Sequence, residues 1–105
     1  MSKYVEYLRR LRKDLENNLD GYLRMLKELA IGYNGKLYVF GSYIRGEAIA
    51  LSDIDVLLEI PDNIDRLEVL HKARKLVPNS KIEIHVLNKK DAEEFKKIIK
   101  KYVEI

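Results

Sequence analysis

Hydrophobic residues recur at intervals of three or four along the first third of the chain. This spacing is the period of an amphipathic helix, and it predicts one from residue 3 to about residue 29. Its apolar stripe consists of Tyr4, Leu8, Leu11, Leu15, Leu19, Tyr22, Leu26 and Leu29. Gly21 lies inside this stripe, and an interior glycine costs about 1 kcal/mol relative to alanine, so we expect a kink or a split there. We assign the stripe to the core rather than to a coiled-coil seam.

Three later segments have the composition of β-strands, which favours β-branched and aromatic residues or strict alternation. They are residues 36–40, 53–60 and 81–87, and a glycine-containing turn over residues 32–35 precedes the first. The third segment alternates, with Ile82, Ile84 and Val86 on one face and Lys81, Glu83 and His85 on the other. This alternation predicts a strand that is buried on one side only.

Two more helices are predicted, over residues 62–77 and residues 89–102. Asp62 is the expected N-cap of the first, and Asn88 caps the second. The inward positions of the first of these helices are expected to be Ile64, Leu67, Leu70, Ala73 and Val77. Together with a short helix after the first strand, the element order is α-β-α-β-α-β-α. The fold class is therefore α/β, of the α+β type, with a small sheet of three or four strands covered by helices.

Length and composition narrow the range of functions. A chain of 105 residues predicts one domain, residues 1–105, and 47% hydrophobic with 35% charged residues is typical of a globular protein. We expect no membrane span and a cytoplasmic location, and the absence of cysteine excludes disulfides, thiolate zinc sites and cysteine nucleophiles. Abundant Lys, Arg and Glu without Cys or Trp hint at a thermophilic source. Because basic and acidic residues alternate and the net charge is only +3, nucleic acid is not an expected partner.

The residues that suggest a chemical function begin where the first predicted strand ends. Gly41 lets the backbone turn sharply, and Ser42 is the expected N-cap of a short helix from about Tyr43 to Glu47. Free N–H groups at the start of such a helix bind anions, so this turn is a candidate phosphate site. Arg45, one turn along, is expected to pair with a phosphate or with a nearby aspartate.

Two aspartates follow after ten residues. In a strand, Asp53 and Asp55 project from the same face, with their Cα atoms roughly 6.5 to 7 Å apart. Two carboxylates this close repel each other unless a cation compensates. Mg²⁺ or Mn²⁺ is the natural cation, because these ions prefer oxygen ligands and combine carboxylates with substrate phosphates. The sequence therefore predicts a metal and nucleotide site.

A family resemblance follows from this arrangement. The run Gly41-Ser42-Tyr43-Ile44-Arg45-Gly46, followed by Ser52-Asp53-Ile54-Asp55, resembles the signature of the minimal nucleotidyltransferases of the DNA polymerase β superfamily. The similarity covers roughly residues 36–86, and we expect it to extend over the whole chain because the family's domains are about this long. It implies the polymerase β-like fold with a mixed sheet, and a third acid on a later strand, for which Glu83 is the candidate. Many relatives carry a basic residue after the Gly-Ser pair, whereas this chain has Tyr43.

The resemblance implies a mechanism. Asp53, Asp55 and Glu83 hold one or two Mg²⁺ or Mn²⁺ ions, Gly41 and Ser42 hold the outgoing phosphates, and Glu83 helps to deprotonate the attacking hydroxyl. Chemistry is then in-line attack on a nucleoside triphosphate, with ATP favoured, transferring a nucleoside monophosphate and releasing pyrophosphate. Family members are often paired with HEPN-domain proteins as antitoxin to toxin, and some transfer AMP to a partner tyrosine.

The same residues also have purely structural interpretations. Gly41 and Ser42 also suit a plain turn with its cap, and Glu83 also suits a solvated strand face. His85 is either a donor to Glu83 or, as is commoner, a partly exposed strand histidine. The first hypothesis is a metal-dependent enzyme that adenylylates a partner macromolecule. The second is a binding module, of antitoxin type, with a vestigial nucleotide site. Transfer to RNA or a small molecule is a weaker third hypothesis, and a homo-oligomer is left open.

Overall fold

Three helices and four strands make up the computed structural model of the chain, which describes residues 2–46 and 53–105. The helices are α1 (Lys3–Gly32), α2 (Arg66–Leu76) and α3 (Lys89–Ile99), and the strands are β1 (Lys36–Phe40), β2 (Ile54–Ile60), β3 (Ile82–Asn88) and β4 (Tyr102–Glu104). Two predictions, the end of the short helix at Glu47 and Ser52 of the motif, lie outside the described residues.

The four strands form one mixed sheet in the order β3-β2-β1-β4. β2 runs parallel to β3, whereas β1 is antiparallel to both β2 and β4. This arrangement confirms the predicted fold class, a small mixed sheet with helices packed against it. It also places the acidic motif strand, β2, in the middle of the sheet, so its backbone is held on both sides.

The alternation of β2 divides the core into two layers. Ile54, Val56, Leu58 and Ile60 are buried against α1 and α2, and they belong to the larger hydrophobic cluster. Leu57 points to the opposite face, where it packs with β1 and with Ala92 and Phe95 of α3. Because α3 covers only part of this second face, the end that carries Asp55 is left partly open to solvent.

Helix α1 is continuous from Lys3 to Gly32, so the split predicted at Gly21 does not occur. Leu19 and Leu23 are buried on either side of Gly21. Since burying a leucine contributes about 1.5 to 3 kcal/mol, their packing outweighs the cost of about 1 kcal/mol for the glycine. In the part of the chain that the structure describes, no helix is both long enough and apolar enough to cross a bilayer.

Helix α2 begins later than the sequence predicts. Its N-cap is Asp65, whose carboxylate accepts a hydrogen bond from the backbone N–H of Leu67 at 3.0 Å. The predicted cap, Asp62, is wrong, because its carboxylate instead accepts from the backbone N–H of Lys90 in α3 at 3.2 Å. Leu67, which was predicted to face inward, is 62% exposed, whereas Val69 is fully buried. The other predicted inward positions are buried or partly buried against the core: Ile64, Leu70, Ala73 and Val77.

Helix α3 ends at Ile99, and the chain then forms the edge strand β4. The prediction that this helix extends to Tyr102 is wrong, and β4 was not predicted. Asn88 precedes the helix as predicted, but its side chain donates to the carbonyl groups of Pro61 and Ile64 rather than capping α3. That contact fixes the start of α3 to the loop after β2.

An ion pair attaches α3 to the sheet. The Lys96 ammonium group lies 2.9 Å from the Glu59 carboxylate and donates a hydrogen bond to the Tyr38 hydroxyl at 3.2 Å. Burial by itself lowers the pKa of Lys96, but the contacts with Glu59 and Tyr38 outweigh it and hold that pKa above its usual value. Lys96 is therefore charged where it contacts the sheet.

Candidate active site

Asp55, Glu83 and His85 come together on the face of the sheet that α3 leaves partly open. Asp55 of β2 lies directly opposite Glu83 of β3 in the parallel register, and His85 is two residues further along the same face. One potential ligand atom from each of the three side chains lies within 4.8 Å of the other two. Pairing of adjacent strands thus joins two acids that are 28 positions apart in sequence.

Gly41 lies against Asp55. Its φ of +79° is in the left-handed region, which glycine adopts without steric cost. A Cβ atom at this position would lie 2.4 Å from Oδ2 of Asp55, so a side chain here would displace the carboxylate. The turn after β1 therefore positions backbone beside the carboxylate, as the phosphate-binding interpretation requires.

His85 contacts Asp55 rather than Glu83. Its Nε2 lies 3.6 Å from Oδ1 of Asp55 and is buried, with no hydrogen-bond partner among the described residues. Its ring packs between Phe40 and Phe95, at centroid distances of 5.3 and 5.6 Å. The predictions for His85 were a donor to Glu83 or a partly exposed strand histidine, and neither included its contact with Asp55.

Asp53 immediately precedes β2 and is more exposed than Asp55. Its Oδ1 lies 3.6 Å from the Lys81 ammonium group, at the start of β3. Asp53 is not part of the three-residue cluster of Asp55, Glu83 and His85. The structure thus brings together two of the three predicted acids, Asp55 and Glu83. The third, Asp53, lies at the rim of the same site and forms an ion pair with Lys81.

The Gly-Ser turn differs from the prediction. Gly41–Tyr43 form a single 3₁₀ turn with Phe40 at its N-cap position, so Ser42 is not the N-cap of a helix. The Ser42 hydroxyl instead donates to the backbone carbonyl of Asp53 at 3.4 Å, which links the turn to the start of β2. Tyr43 is partly buried and packs against the larger hydrophobic cluster. Its side chain therefore serves packing.

A cavity of about 450 Å³ adjoins the turn on the side away from Glu83, and the exposed Arg45 forms part of its wall. Gly41 lines the same cavity and also touches Asp55. The predicted phosphate-binding residues Gly41 and Arg45 therefore line the same cavity, and Gly41 is the lining residue that also lies against the Asp55 carboxylate.

The donor set fits a divalent ion. Two carboxylates supply the oxygen ligands that Mg²⁺ prefers, and an imidazole nitrogen suits Mn²⁺ and other transition ions better than Mg²⁺. One potential ligand atom of each of Asp55, Glu83 and His85 lies within 4.8 Å of the other two, so these side chains would hold one ion by closing around it.

Comparison with known proteins agrees with this geometry. The sequence profile of the nucleotidyltransferase domain family matches residues 19–105. A crystal structure provisionally assigned as a nucleotidyltransferase is 32% identical, with a TM-score of 0.65, and the match covers 81% of this chain and 98% of that one. None of the curated proteins matches the chain significantly in sequence.

A second crystal structure, of a provisionally assigned nucleotidyltransferase from Sulfolobus solfataricus, is 18% identical with a TM-score of 0.54. That match covers 99% of this chain and 86% of the other, and at this identity it supports the fold alone. The family match spans β1, the Gly-Ser turn, β2 and β3, which are the elements that assemble the acidic cluster. The chain therefore belongs to the nucleotidyltransferase domain family.

Proposed function

We propose that this protein is a metal-dependent nucleotidyltransferase that transfers AMP from ATP to a hydroxyl group of a partner macromolecule. The observation that carries the proposal is the convergence of Asp55 and Glu83 beside the backbone of Gly41, in a member of this family. Carboxylates next to a phosphate-binding turn are what in-line phosphoryl chemistry needs, since the protein's share is positioning and charge stabilisation. The active unit is proposed to be residues 1–105.

The residues then have separate tasks. Asp55, Glu83 and the rim residue Asp53 are the proposed metal ligands, with Mg²⁺ or Mn²⁺ as the ion. The bound ion neutralises charge on the phosphates and lowers the pKa of an attacking hydroxyl. Gly41 and Ser42 hold the outgoing phosphates. The acceptor oxygen forms a bond to the α-phosphorus as the bond to the β-phosphate oxygen breaks, Glu83 accepts the acceptor's proton, and pyrophosphate leaves.

Asp53 has to leave Lys81 in order to reach an ion. The Asp53 carboxylate is 45% exposed and the Lys81 side chain 18%, at a separation of 3.6 Å, and an ion pair that solvent reaches on the carboxylate side contributes about 1 kcal/mol. A divalent ion offers more than that to a carboxylate, so the lysine is a replaceable partner. Lys81 thereby compensates the negative charge of the site while the ion is absent.

The acceptor is proposed to be another macromolecule, and a HEPN-domain protein is the proposed partner. The site lies on the face of the sheet that α3 leaves partly open, and the cavity of about 450 Å³ next to Gly41 is large enough for one small ligand. The first turns of α1 also expose Tyr4, Val5 and Tyr7, which is a surface available for a partner. The cytoplasm, where ATP is abundant, is the proposed location.

The second candidate is a binding module with a vestigial site. It is favoured by one observation: Asp53 is paired with Lys81 instead of joining the cluster of Asp55, Glu83 and His85. In that case the domain acts on its partner through its surface, and the nucleotide site has no catalytic role.

The test is titration of the pure protein with ATP in the presence of Mg²⁺ or Mn²⁺, followed by a pyrophosphate release assay with and without a candidate HEPN-domain partner. We expect Asp55→Asn to lower metal-dependent ATP affinity at least about tenfold and to abolish pyrophosphate release. Asp53→Asn is expected to act in the same direction. Glu94→Gln removes one negative charge from an exposed position on α3 and is the matched control.

Two outcomes decide between the candidates. If both aspartate variants bind metal and ATP as the wild type does, the proposed site is wrong. If the wild type captures its partner but releases no pyrophosphate, and capture survives both substitutions, the binding module is the correct function.

A further inference from the structure

The cavity beside Gly41 is lined in part by basic residues that lie outside the Gly-Ser motif. Besides Gly41 and Arg45, it is lined by Phe40 and Ile99 and by two consecutive lysines, Lys100 and Lys101. These lysines lie in the turn between α3 and β4, the edge strand that the sequence analysis missed. At about 450 Å³ the cavity falls within the usual range of small-ligand sites.

The backbone of this turn is strained at Lys100. The residue has φ 65° and ψ −49°, and the backbone N–H of Lys101 donates to the carbonyl of Ile99 at 2.7 Å. This is a classic γ-turn, a rare and strained conformation that glycine adopts at lower steric cost because it has no side chain. A glycine is the usual residue just after a helix, yet a lysine stands here. Strain retained at one residue is typical of functional positions.

The negative charge of a bound triphosphate is a second reason to assign a binding role to these lysines. Tyr43 follows the Gly-Ser pair, and its side chain packs against the core. Arg45 is the one basic residue of the sequence between Gly41 and Gly46, so the charge of a bound triphosphate calls for further cations from elsewhere in the chain. Lys100 and Lys101 line the cavity on one side of Gly41, and the Asp55 carboxylate lies against the same glycine, so phosphates held at Gly41, as proposed above, would adjoin the two lysines.

We propose that Lys100 and Lys101, together with Arg45, bind the β- and γ-phosphates of the nucleoside triphosphate. This inference rests on the proposed function, because it places the phosphates at Gly41, beside the acidic cluster. The carbonyl groups at the end of α3 repel anions, so the attraction has to come from the charged side chains that line the cavity. The phosphates contact the lysines, and Phe40 and Ile99 form the apolar floor of the cavity.

The test uses three single variants of the full chain: Lys100→Gly, Lys101→Gln and, as the control, Lys97→Gln. Lys97 is an exposed lysine of α3 that pairs with Glu94, and the control removes the same charge as Lys101→Gln. Calorimetric titration with ATP, with pyrophosphate and with adenosine, each with Mg²⁺, separates phosphate contacts from the rest. We expect Lys100→Gly and Lys101→Gln to weaken ATP and pyrophosphate binding about five- to tenfold and to leave adenosine binding unchanged.

The Lys100→Gly variant also separates function from structure. Glycine relieves the strain at φ 65°, so its melting temperature is expected to equal or exceed that of the wild type while its phosphate affinity falls. A lysine kept only for the end of α3 would show the opposite: a lower melting temperature and unchanged pyrophosphate affinity. That result overturns the inference, as does an equal effect of Lys97→Gln.

Failure of the inference and failure of the proposed function give different results. If wild type binds ATP in a manner that needs metal and Asp55, but the two lysine variants bind it equally well, only the lysine assignment is wrong. If wild type shows no metal-dependent ATP binding while pyrophosphate binding still depends on Lys100 and Lys101, the proposed transferase activity is wrong and the cavity is an anion site.

Discussion

At the scale of one residue, Gly41 leaves space for the Asp55 carboxylate because it has no side chain. Two independent constraints act on it: a left-handed φ, and the carboxylate of Asp55 in the space where a Cβ would be. The first raises the cost of any other residue by about 1 to 2 kcal/mol. The second is relieved by rotating Asp55, which moves its carboxylate away from Glu83 and His85.

The Gly41→Ala variant is therefore expected to lose about 1 to 2 kcal/mol of unfolding free energy and to bind Mn²⁺ much more weakly. Chemical denaturation measures the first effect, and metal titration in the absence of nucleotide measures the second. Gly21→Ala is the matched control, because a Cβ at Gly21 meets nothing and alanine suits a helix interior better by about 0.5 to 1 kcal/mol. Normal metal affinity in Gly41→Ala would contradict the role given to this glycine.

The candidate site was predictable only in part at this scale. Gly41 and Asp55 were singled out from motif spacing, and Glu83 from the family resemblance, which implies an acid on a later strand. The contact of His85 with Asp55, and of Asp53 with Lys81, was not predictable. Both depend on which strand lies next to β2 and in which register, and that is a property of the sheet.

At the scale of elements, a buried asparagine ties α1 to the loop before β3. Asn79 is 2% exposed, and its side-chain amide donates to the carbonyl of Leu11 at 2.9 Å and to the carboxylate of Asp14 at 2.8 Å. The Tyr22 hydroxyl donates to the same carboxylate at 2.6 Å. The hydrogen bonds from Tyr22 and Asn79 lower the pKa of Asp14, and the one to Asp14 raises the pKa of Tyr22 to about 12.

This network predicts a pH dependence with two limits. The lowered pKa of Asp14 stabilises the fold above the ordinary value of 3.8, and that stabilisation is lost as the pH falls below it. The raised pKa of Tyr22 stabilises the fold below the ordinary value of 10.0, and that contribution is lost as the pH rises towards about 12. Both contributions are present at neutral pH.

Tyr22→Phe removes the hydroxyl group and is expected to lower the free energy of unfolding by about 1 kcal/mol at neutral pH. The difference between wild type and variant should shrink as the pH falls below 3.8 and as it rises above 10.0. Urea denaturation at several pH values measures this difference. Tyr4→Phe changes an exposed tyrosine and should have no effect. A difference that is constant across the whole range would rule out the hydrogen bond as its cause.

The elements themselves were predictable to different degrees. β1 matches its predicted bounds, residues 36–40, because a β-branched and aromatic run ends at a glycine. The start of α2 was wrong because Asp62 and Asp65 are both good N-caps, and the competing contact of Asp62 with Lys90 comes from another helix. β4 was missed because three residues carry too little pattern to distinguish a strand from a helix end.

For the whole molecule, the main asymmetry is the length of α1. The chain extends 48 Å in its longest direction and 20 Å in its shortest, and the buried residues of α1 begin only at Leu15. The first turns therefore project beyond the main core, with Tyr4 68% exposed. The stripe of leucines and tyrosines that predicted the helix thus serves the core only in its later part.

This asymmetry predicts unequal costs along one helix. Leu26→Ala removes a fully buried side chain and is expected to cost about 2 to 5 kcal/mol of unfolding free energy. Tyr4→Ala should cost less than about 0.5 kcal/mol, since its side chain contacts the main core little. Chemical denaturation of both variants measures the contrast. Comparable losses in both would mean that the first turns of α1 are buried in solution, most directly by association of copies.

The sequence by itself determined the periodic elements, the α+β class and the chemical motif, because those follow from local spacing and residue type. Only the tertiary structure decided which charged groups meet, since Asp55, Glu83 and His85 come together through the pairing of β2 with β3. The same holds for the lysine turn after α3, which reaches Gly41 only because β4 pairs with β1. Contacts between distant segments depend on strand order and register, which no local pattern records.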